Sequence, residues 1–419
     1  MVADIGKRAF FRVSFLRNFS RVVNSTVRPF RPAVNKDRGF TLIEIVVILA
    51  VLSILAAIAI PAALRIFQVT AEDTTREEMD NIKKAMVGDP QKLQTSFRND
   101  FGFLGDIGCL PTTAFPTPPA LDRLSTQGTY PGWTFNSTQQ AGAGWKGPYI
   151  TGTPGEEFTK DQLGNNYVYT PAGGACPLTA TLASNGPDGL PSTADDITAN
   201  IVANETSATV RGTVKNASGV GLQGVPVEIY YTQNGTPQTA IATTDVNGNY
   251  SSSPILIPFG ARAVKPSPTL VLVPNSVTVT GGPNDEVNFQ VTNYSGSSVT
   301  VSSVNVTCPA GVTDYDGVIF GGAAVDPGGE ESCGANITVS GANTTFSANT
   351  TPPASLRVVV DSPDTQLPDL TLRGGFTRTI ALLDFENGAP PVDMRNRTLT
   401  VTFNLTVGGP VVITFTTPP

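Results

Sequence analysis

The chain has 419 residues, a formal net charge of −7 at neutral pH and no histidine. The missing histidine excludes Ser-His-Asp and Cys-His catalysis as well as His-ligated zinc or iron. The acidic balance argues against nucleic acid as a partner, because binding to phosphates needs a basic surface.

The first predicted element is a cytoplasmic leader over residues 1–39. It holds nine Lys/Arg and two acidic residues, so its net charge is +7, whereas the remaining 380 residues carry −14. Basic residues collect on the cytoplasmic side of a first membrane span, so the acidic remainder is expected on the other side. The remainder is too long for one ordinary domain, and we expect two to four. The use of a later start codon stays open.

A long apolar helix is predicted next. Between Ile45 and Leu64 there are twenty uncharged residues, which as a helix would span roughly 30 Å, the thickness of a bilayer's hydrocarbon core. Glu44 is the single charge at the start of this run, and a carboxylate in lipid costs several kcal/mol. A plain signal-anchor helix is the simpler alternative. A cleaved secretory signal does not fit, because the apolar run is too long.

The residues around this junction read Gly39-Phe40-Thr41-Leu42-Ile43-Glu44. They resemble the signal of the type IV pilin and type II secretion pseudopilin superfamily. The resemblance implies that a prepilin peptidase cuts after Gly39 and methylates the new N-terminus, Phe40. It also implies that Glu44 meets the N-terminal amine of a neighbouring subunit during assembly.

The helical pattern is expected to continue beyond the apolar run. Apolar residues between Val69 and Met86 keep a spacing of three and four among charges, which is typical of an amphipathic helix. Pro61 should kink or loosen the helix. Gly88 interrupts the pattern, and Asp89 and Pro90 predict a restart. A transmembrane and assembly helix is therefore predicted over residues 40–99.

Residues 100–203 are predicted to form a globular head. The motifs are Pro111-Thr112-Thr113, an Asp161–Tyr169 segment and a closing run from Ser184-Asn185-Gly186-Pro187-Asp188-Gly189 to Asp195-Asp196-Ile197. From Gly39 to Ile197, the succession resembles the major pseudopilin of type II secretion. Gln162 and Leu163 replace the proline and tryptophan that are usual in that family.

The closing run of the head is a candidate cation site. Asp188, Asp195 and Asp196 place three carboxylates within nine residues of a turn rich in glycine and proline. Calcium takes six to eight oxygen ligands of this kind, although the spacing is not that of an EF-hand. The family resemblance favours Ca²⁺ at these three aspartates, with a further oxygen from Asn185, and the alternative is a solvated acidic turn.

Four cysteines, Cys109, Cys176, Cys308 and Cys333, follow in an exported segment, which indicates structural disulfides. Four cysteines allow three pairings. Proximity within the predicted domains favours Cys109–Cys176 and Cys308–Cys333. No C-x-x-C occurs, which argues against a redox motif or a zinc site.

The second half of the chain is predicted to be all β. Alternating residues and an Asn247-Gly248 hairpin turn in residues 207–273 resemble a carboxypeptidase regulatory-like (transthyretin-like) domain, which is usually non-catalytic. A loop formed by Asp245, Asn247 and Asn249 is interpreted as a turn rather than a cation site. Alternation over residues 276–419 predicts an immunoglobulin-like sandwich.

The expected fold is α+β: a long N-terminal transmembrane helix, a pilin-like α+β head and two all-β sandwich domains. The expected function is that of a filament subunit, of the major-pseudopilin type in type II secretion, and no enzyme. The alternatives are a type IV pilin and a low-copy adhesin that binds a surface or glycan through its sandwiches. Expected partners are further copies packed through their helices, other pilin-like subunits, the prepilin peptidase and the inner-membrane assembly machinery. The expected location is the inner membrane, with a periplasmic or extracellular head.

Overall fold

A computed structural model describes residues 40–94, 97–112, 120–151, 158–326 and 328–419. The predicted leader, including Gly39, lies outside these residues. By internal contacts the chain divides into two units, residues 1–64 and Arg65–Pro419.

The first element, helix α1, spans Leu42–Val87 and includes Pro61. Its buried side chains lie from Thr75 onward, in the amphipathic stretch, while the apolar stretch before them is exposed. The predicted restart up to Asn99 is wrong. Gly88 leaves the helix at φ +81°, and the Asp89 carboxylate accepts the backbone N–H of Gln91, closing a turn instead of capping a new helix.

A short antiparallel hairpin, β1 (Leu93–Gln94) and β2 (Phe97–Arg98), follows the turn. The Arg98 guanidinium donates a hydrogen bond to the Val87 carbonyl, which is one of the acceptors that the helix end leaves unpaired. The hairpin therefore closes the helix terminus.

In its described residues, the head contains one short helix and two small sheets. Helix α2 spans Gly102–Ile107, and a 3-10 turn spans Leu121–Leu124. The strands are β3 (Thr134–Asn136) paired with β4 (Ala141–Ala143), and β5 (Val168–Ala172), β6 (Thr179–Ser184) and β7 (Ile197–Ile201), which form an antiparallel sheet in that order. A second 3-10 turn, Ala203–Glu205, leads out of the head.

The first sandwich begins directly after the head. Its strands are β8 (Ser207–Asn216), β9 (Pro226–Gln233), β10 (Thr236–Thr243), β11 (Asn249–Ser251), β12 (Ile257–Pro258) and β13 (Gly260–Pro266). The tight hairpin is β9–β10, closed by Asn234 and Gly235 at positive φ. Asn247-Gly248 is a turn, but not the predicted hairpin, because β10 pairs with β9 and β11 pairs with β8 in the other sheet.

The second sandwich takes strands from two separate parts of the chain. The first part supplies β14 (Leu270–Leu272), β15 (Thr278–Thr280), β16 (Glu286–Asn293), β17 (Val299–Thr307), β18 (Asp314–Tyr315), β19 (Gly317–Phe320), β20 (Ala323–Ala324), β21 (Glu331–Ser332), β22 (Asn336–Thr338) and, after a 3-10 turn at Ala342–Thr344, β23 (Thr345–Phe346).

The chain then returns to the first sandwich. The returning strands are β24 (Leu356–Val360), β25 (Asp364–Gln366) and β26 (Leu370–Leu372). Strand β24 pairs antiparallel with β13, and β25 and β26 pair parallel with β8. The predicted single domain over residues 276–419 is therefore wrong in this stretch. Alternation identifies strands, but it does not say which sheet they join.

Three final strands complete the second sandwich: β27 (Phe376–Leu383), β28 (Thr398–Leu405) and β29 (Val411–Thr416). Strand β27 lies between β16 and β19 in one sheet, and β28 lies between β17 and β29 in the other. Phenylalanines from both sheets, among them Phe289, Phe403 and Phe415, are buried between them.

The head and the first sandwich share one hydrophobic core, whereas the second sandwich has its own. At their junction the β9–β10 hairpin meets the end of α2, where the Gly235 N–H donates to the Ile107 carbonyl at 2.8 Å. The buried Arg262 guanidinium donates to the carbonyls of Gly105 in the head and Phe259 in the sandwich, at 2.8 and 2.7 Å. Burial lowers its pKa to about 10, so it remains a cation at neutral pH.

Candidate functional site

The first candidate site is the apolar half of α1. Among the described residues, this helix alone is long and apolar enough to cross a membrane, with a mean hydropathy of 3.0 over its most apolar stretch, none of which is buried. Large apolar side chains such as Leu42, Ile58 and Phe67 are more than two-thirds exposed. A continuous apolar surface of this size requires lipid or other apolar helices around it.

Glu44 lies in the first turn of this helix and helps to cap its N-terminus. The Glu44 N–H donates to Thr41 Oγ1 at 3.3 Å, and the Thr41 N–H donates to Glu44 Oε2 at 3.4 Å. This reciprocal arrangement is a capping box, which satisfies two of the free N–H groups at the helix start. The Glu44 carboxylate therefore contacts the residue that follows Phe40, the predicted N-terminus, which is exposed.

The second candidate site is the connection between β6 and β7, which carries the three predicted calcium ligands. Asp195 Oδ2 accepts the Asp188 N–H at 3.1 Å, and the Thr193 side chain together with this N–H lowers the pKa of the Asp195 carboxyl. Asp196 Oδ2 accepts the Ser192 N–H at 2.7 Å, and Asp188 Oδ1 accepts the Leu190 N–H at 2.8 Å. All three carboxylates thus hold the backbone of their own loop.

The loop offers oxygen ligands of the kind that a hard cation prefers, but these oxygens do not converge on one point. The Thr193 hydroxyl lies between two carboxylates, 3.1 Å from Asp196 Oδ1 and 3.4 Å from Asp188 Oδ1. Within the part of the chain that the structure describes, no group of three or more His, Cys, Asp or Glu side chains is arranged to hold a metal ion. A cation would have to replace some of these hydrogen bonds.

A neighbouring loop supports the acidic one. Asp161 is buried, and its carboxylate accepts the Asn165 N–H at 2.7 Å and the Ser184 hydroxyl at 2.6 Å. The Asn165 amide in turn donates to the Gly186 carbonyl at 2.9 Å. In the sequence, Asp161 and Asn165 belong to the Asp161–Tyr169 segment that carries the family resemblance. Their role in holding the acidic loop depends on contacts across about 20 residues, which no local pattern reports.

Both disulfides in the structure are the pairs that proximity favours. Cys109 is joined to Cys176 with a Cα–Cα distance of 5.0 Å, and Cys308 to Cys333 with 5.7 Å. The first lies at the head–sandwich junction, where the Asn234 N–H donates to Cys109 Sγ at 3.3 Å. The second fastens the loop after β17 in the second sandwich.

Comparison with known proteins identifies the N-terminal segment. Residues 34–60 match the family model of the prokaryotic N-terminal methylation motif. No curated protein matches the chain.

Solved structures give only weak likenesses. The T6 backbone pilin of Streptococcus pyogenes is 14% identical over 47% of this chain and 42% of its own, with a TM-score of 0.17. A DUF3823 family protein from Parabacteroides merdae is 11% identical over 50% and 98%, with a TM-score of 0.21. A single-residue variant of BcpA, the major pilin subunit of Bacillus cereus, is 12% identical over 51% and 69%, with a TM-score of 0.17.

The chain spans less than half the length of the first of these proteins, and at such TM-scores none of them carries an argument about this one. The methylation motif does, because it falls on the segment where an exposed apolar helix begins. The chain therefore carries a prokaryotic N-terminal methylation motif at the start of a long helix, and a β-rich body follows that helix.

Proposed function

We propose that the chain is a filament subunit that is cleaved after Gly39, methylated on Phe40 and assembled through α1. The observation that carries the proposal is the coincidence of the methylation motif with a 46-residue helix whose first half is apolar and exposed. Such a helix is about 69 Å long, more than twice the thickness of a bilayer core. Its apolar half suits lipid before assembly and neighbouring helices afterwards.

Within this class, we propose a role as a pseudopilin of type II secretion, located in the inner membrane with its body outside the cytoplasm. The support is the order of elements, in which a long helix is followed by a small antiparallel sheet with an acidic β6–β7 connection. The two sandwiches lie C-terminal to this head in the chain and are large enough to remain on the filament surface.

The processing step is tested by mass spectrometry of the N-terminal peptide from membranes of cells with and without a prepilin peptidase. We expect N-methylated Phe40 only when the peptidase is present. A chain that keeps Met1, or starts at any residue other than Phe40, would contradict the proposal.

The secretion role is tested by deleting the gene. We expect loss of exoprotein secretion with surface pili intact. Loss of pili with normal secretion would favour a type IV pilin, and loss of adhesion alone a low-copy adhesin.

We further propose that the acidic loop binds calcium through Asp188, Asp195 and Asp196. The support is the chemistry of the loop, which carries three carboxylates within nine residues and a Thr193 hydroxyl that lies within hydrogen-bond distance of two of them. Calcium would supply charge neutralisation between these carboxylates, in exchange for the hydrogen bonds they now accept.

A further inference from the structure

An open cavity of about 670 Å³ lies in the head beside the β3–β4 hairpin. Side chains from the head and from the returning strand β24 line it, among them Asp106, Trp133, Phe135, Lys146 and Arg357. None of these residues belongs to α1 or to the acidic loop, so the proposed filament role assigns no function to the cavity.

Two aromatic rings form one wall of the cavity. Trp133 and Phe135 are two positions apart at β3 and therefore point to the same side. Their ring centroids are 6.3 Å apart and their planes differ by only 21°. The side chains are 38% and 42% exposed, so this pair is not part of the core.

A glycine on the partner strand sets the position of this wall. A Cβ atom at Gly142 of β4 would lie 2.4 Å from the Trp133 ring, so only glycine lets the indole lie across the hairpin. The sequence of the hairpin therefore accommodates the Trp133 indole specifically.

Polar and charged groups surround the rings. The Tyr149 hydroxyl donates to Asp106 Oδ2 at 3.0 Å and accepts the Lys146 N–H at 3.0 Å. Lys146 Nζ lies 5.0 Å from the Trp133 ring centroid, and Arg357 Cζ lies 5.7 Å from that of Phe135. Neither cation forms an ion pair with the described residues.

The cavity lining carries charges of both signs, Asp100 and Asp106 beside Lys146 and Arg357, and Asp100 is paired with Lys92 at 2.9 Å. A ligand with a strong net charge would therefore meet groups that repel it as well as groups that attract it. A neutral ligand that is rich in hydroxyl groups would find both donors and acceptors.

We propose that this cavity binds a neutral saccharide chain. The negatively polarised faces of Trp133 and Phe135 attract the C–H groups on the flat side of a sugar ring. The surrounding carboxylates, amides and cations pair with its hydroxyls. A second cavity, of about 660 Å³, shares Ala261 and Arg357 with the first, so the ligand space extends beyond a single sugar. The proposal is independent of which filament the chain belongs to.

The test is affinity electrophoresis of the detergent-purified full chain through native gels that contain dextran, laminarin, xyloglucan or hydroxyethylcellulose, with alginate and polygalacturonate as acidic probes. We expect at least one neutral polysaccharide to retard the chain. Trp133→Ala should weaken that retardation about tenfold, and Phe135→Ala should also weaken it. Ile241→Ala, an exposed apolar position on β10, is the matched control and should migrate like the wild type.

Both aromatic variants should keep the wild-type melting temperature, because their side chains are partly exposed. Retardation by none of the neutral polysaccharides would overturn the proposal. So would retardation by acidic polysaccharides alone that salt or Lys146→Ala abolishes, because that behaviour would make the cavity an anion site.

Discussion

At the scale of single residues, Glu44 combines an observed contact with a proposed one. In the isolated chain its carboxylate closes the capping box with Thr41. In an assembled filament it is proposed to meet the amine of a neighbouring Phe40. A charged carboxylate within the membrane costs about 2.5–3.5 kcal/mol, so an interaction beyond helix capping is needed to justify it.

The two contacts can be separated by Glu44→Gln and Glu44→Ala. Glutamine still accepts the Thr41 N–H and keeps the cap, but it has no charge. We expect both variants to insert into the membrane and both to give few filaments, measured by electron microscopy and by the protein content of sheared fractions. Normal filaments from Glu44→Gln, with few from Glu44→Ala, would mean that only the cap is required.

Glu386, in the second sandwich, predicts a pH dependence. Burial and the nearby carboxylates of Asp316 and Asp314 raise the pKa of Glu386 above its ordinary value of 4.5. The folded state therefore binds this proton more tightly than the unfolded state. As the pH rises through the raised pKa, the contribution of Glu386 to the free energy of unfolding decreases. At neutral pH the ionised side chain is destabilising.

We therefore expect Glu386→Gln to raise the melting temperature at pH 7 and to have much less effect near pH 4, measured by calorimetry. Glu77→Gln, at an exposed position on α1, is the matched control and should change neither value. An equal effect of Glu386→Gln at both pH values would show that its charge is not the cause.

At the scale of elements, the sequence predicted those features that depend on neighbours in the chain. The apolar run of α1, the amphipathic stretch after it and the alternating strands follow from local periodicity. The local sequence does not determine the end of α1, because Asp89 can serve either as a helix cap or as part of a turn. A tertiary contact at Gly88 favours the turn. A Cβ atom at this position would lie only 2.3 Å from the Asp100 carbonyl oxygen.

The return of β24, β25 and β26 to the first sandwich could not be predicted in the same way. Leu356–Val360 alternates much as the strands around it do, and its partner β13 lies about 90 residues earlier. The same limit applies to the sites. The motif around Phe40 and Glu44 is local, whereas the support of the acidic loop by Asp161 and the cavity wall of Trp133 depend on tertiary contacts.

The acidic loop carries the prediction at this scale. Calcium that binds only the folded state would stabilise it by about 2.7 kcal/mol at a hundredfold excess over Kd. We expect the melting temperature of the full chain in detergent to be higher with Ca²⁺ than with a chelator, and Asp188→Asn to remove most of the difference. Identical melting curves would identify the loop as an acidic turn held by its own hydrogen bonds.

At the scale of the whole molecule, we expect the shared core to make the head and the first sandwich unfold as one cooperative body. Trp133 and Trp145, the two tryptophans of the chain, both lie in the head, so their fluorescence follows its unfolding. Ile229→Ala, in the first sandwich, removes a buried side chain at a cost of about 2–5 kcal/mol. We expect it to lower the melting temperature that tryptophan fluorescence reports.

Phe289→Ala is the matched control, because this equally buried side chain belongs to the core of the second sandwich. It should lower a separate calorimetric transition and leave the fluorescence midpoint unchanged. If Ile229→Ala leaves the fluorescence midpoint where it is, the head and the first sandwich unfold independently.

The chain leaves the first sandwich after β13 and returns to it with β24, β25 and β26. This order limits how the protein can be shortened. A stop codon placed after Pro266 removes β24, β25 and β26 together with the second sandwich. It leaves β8 and β13 each with unpaired backbone N–H and C=O groups along one edge, and such edges can pair with strands of other chains. A complete first sandwich remains only if residues 268–355 and 373–419 are cut out as two pieces and residues 356–372 are kept. We therefore expect a chain that is truncated after Pro266 to aggregate instead of folding into a smaller stable protein.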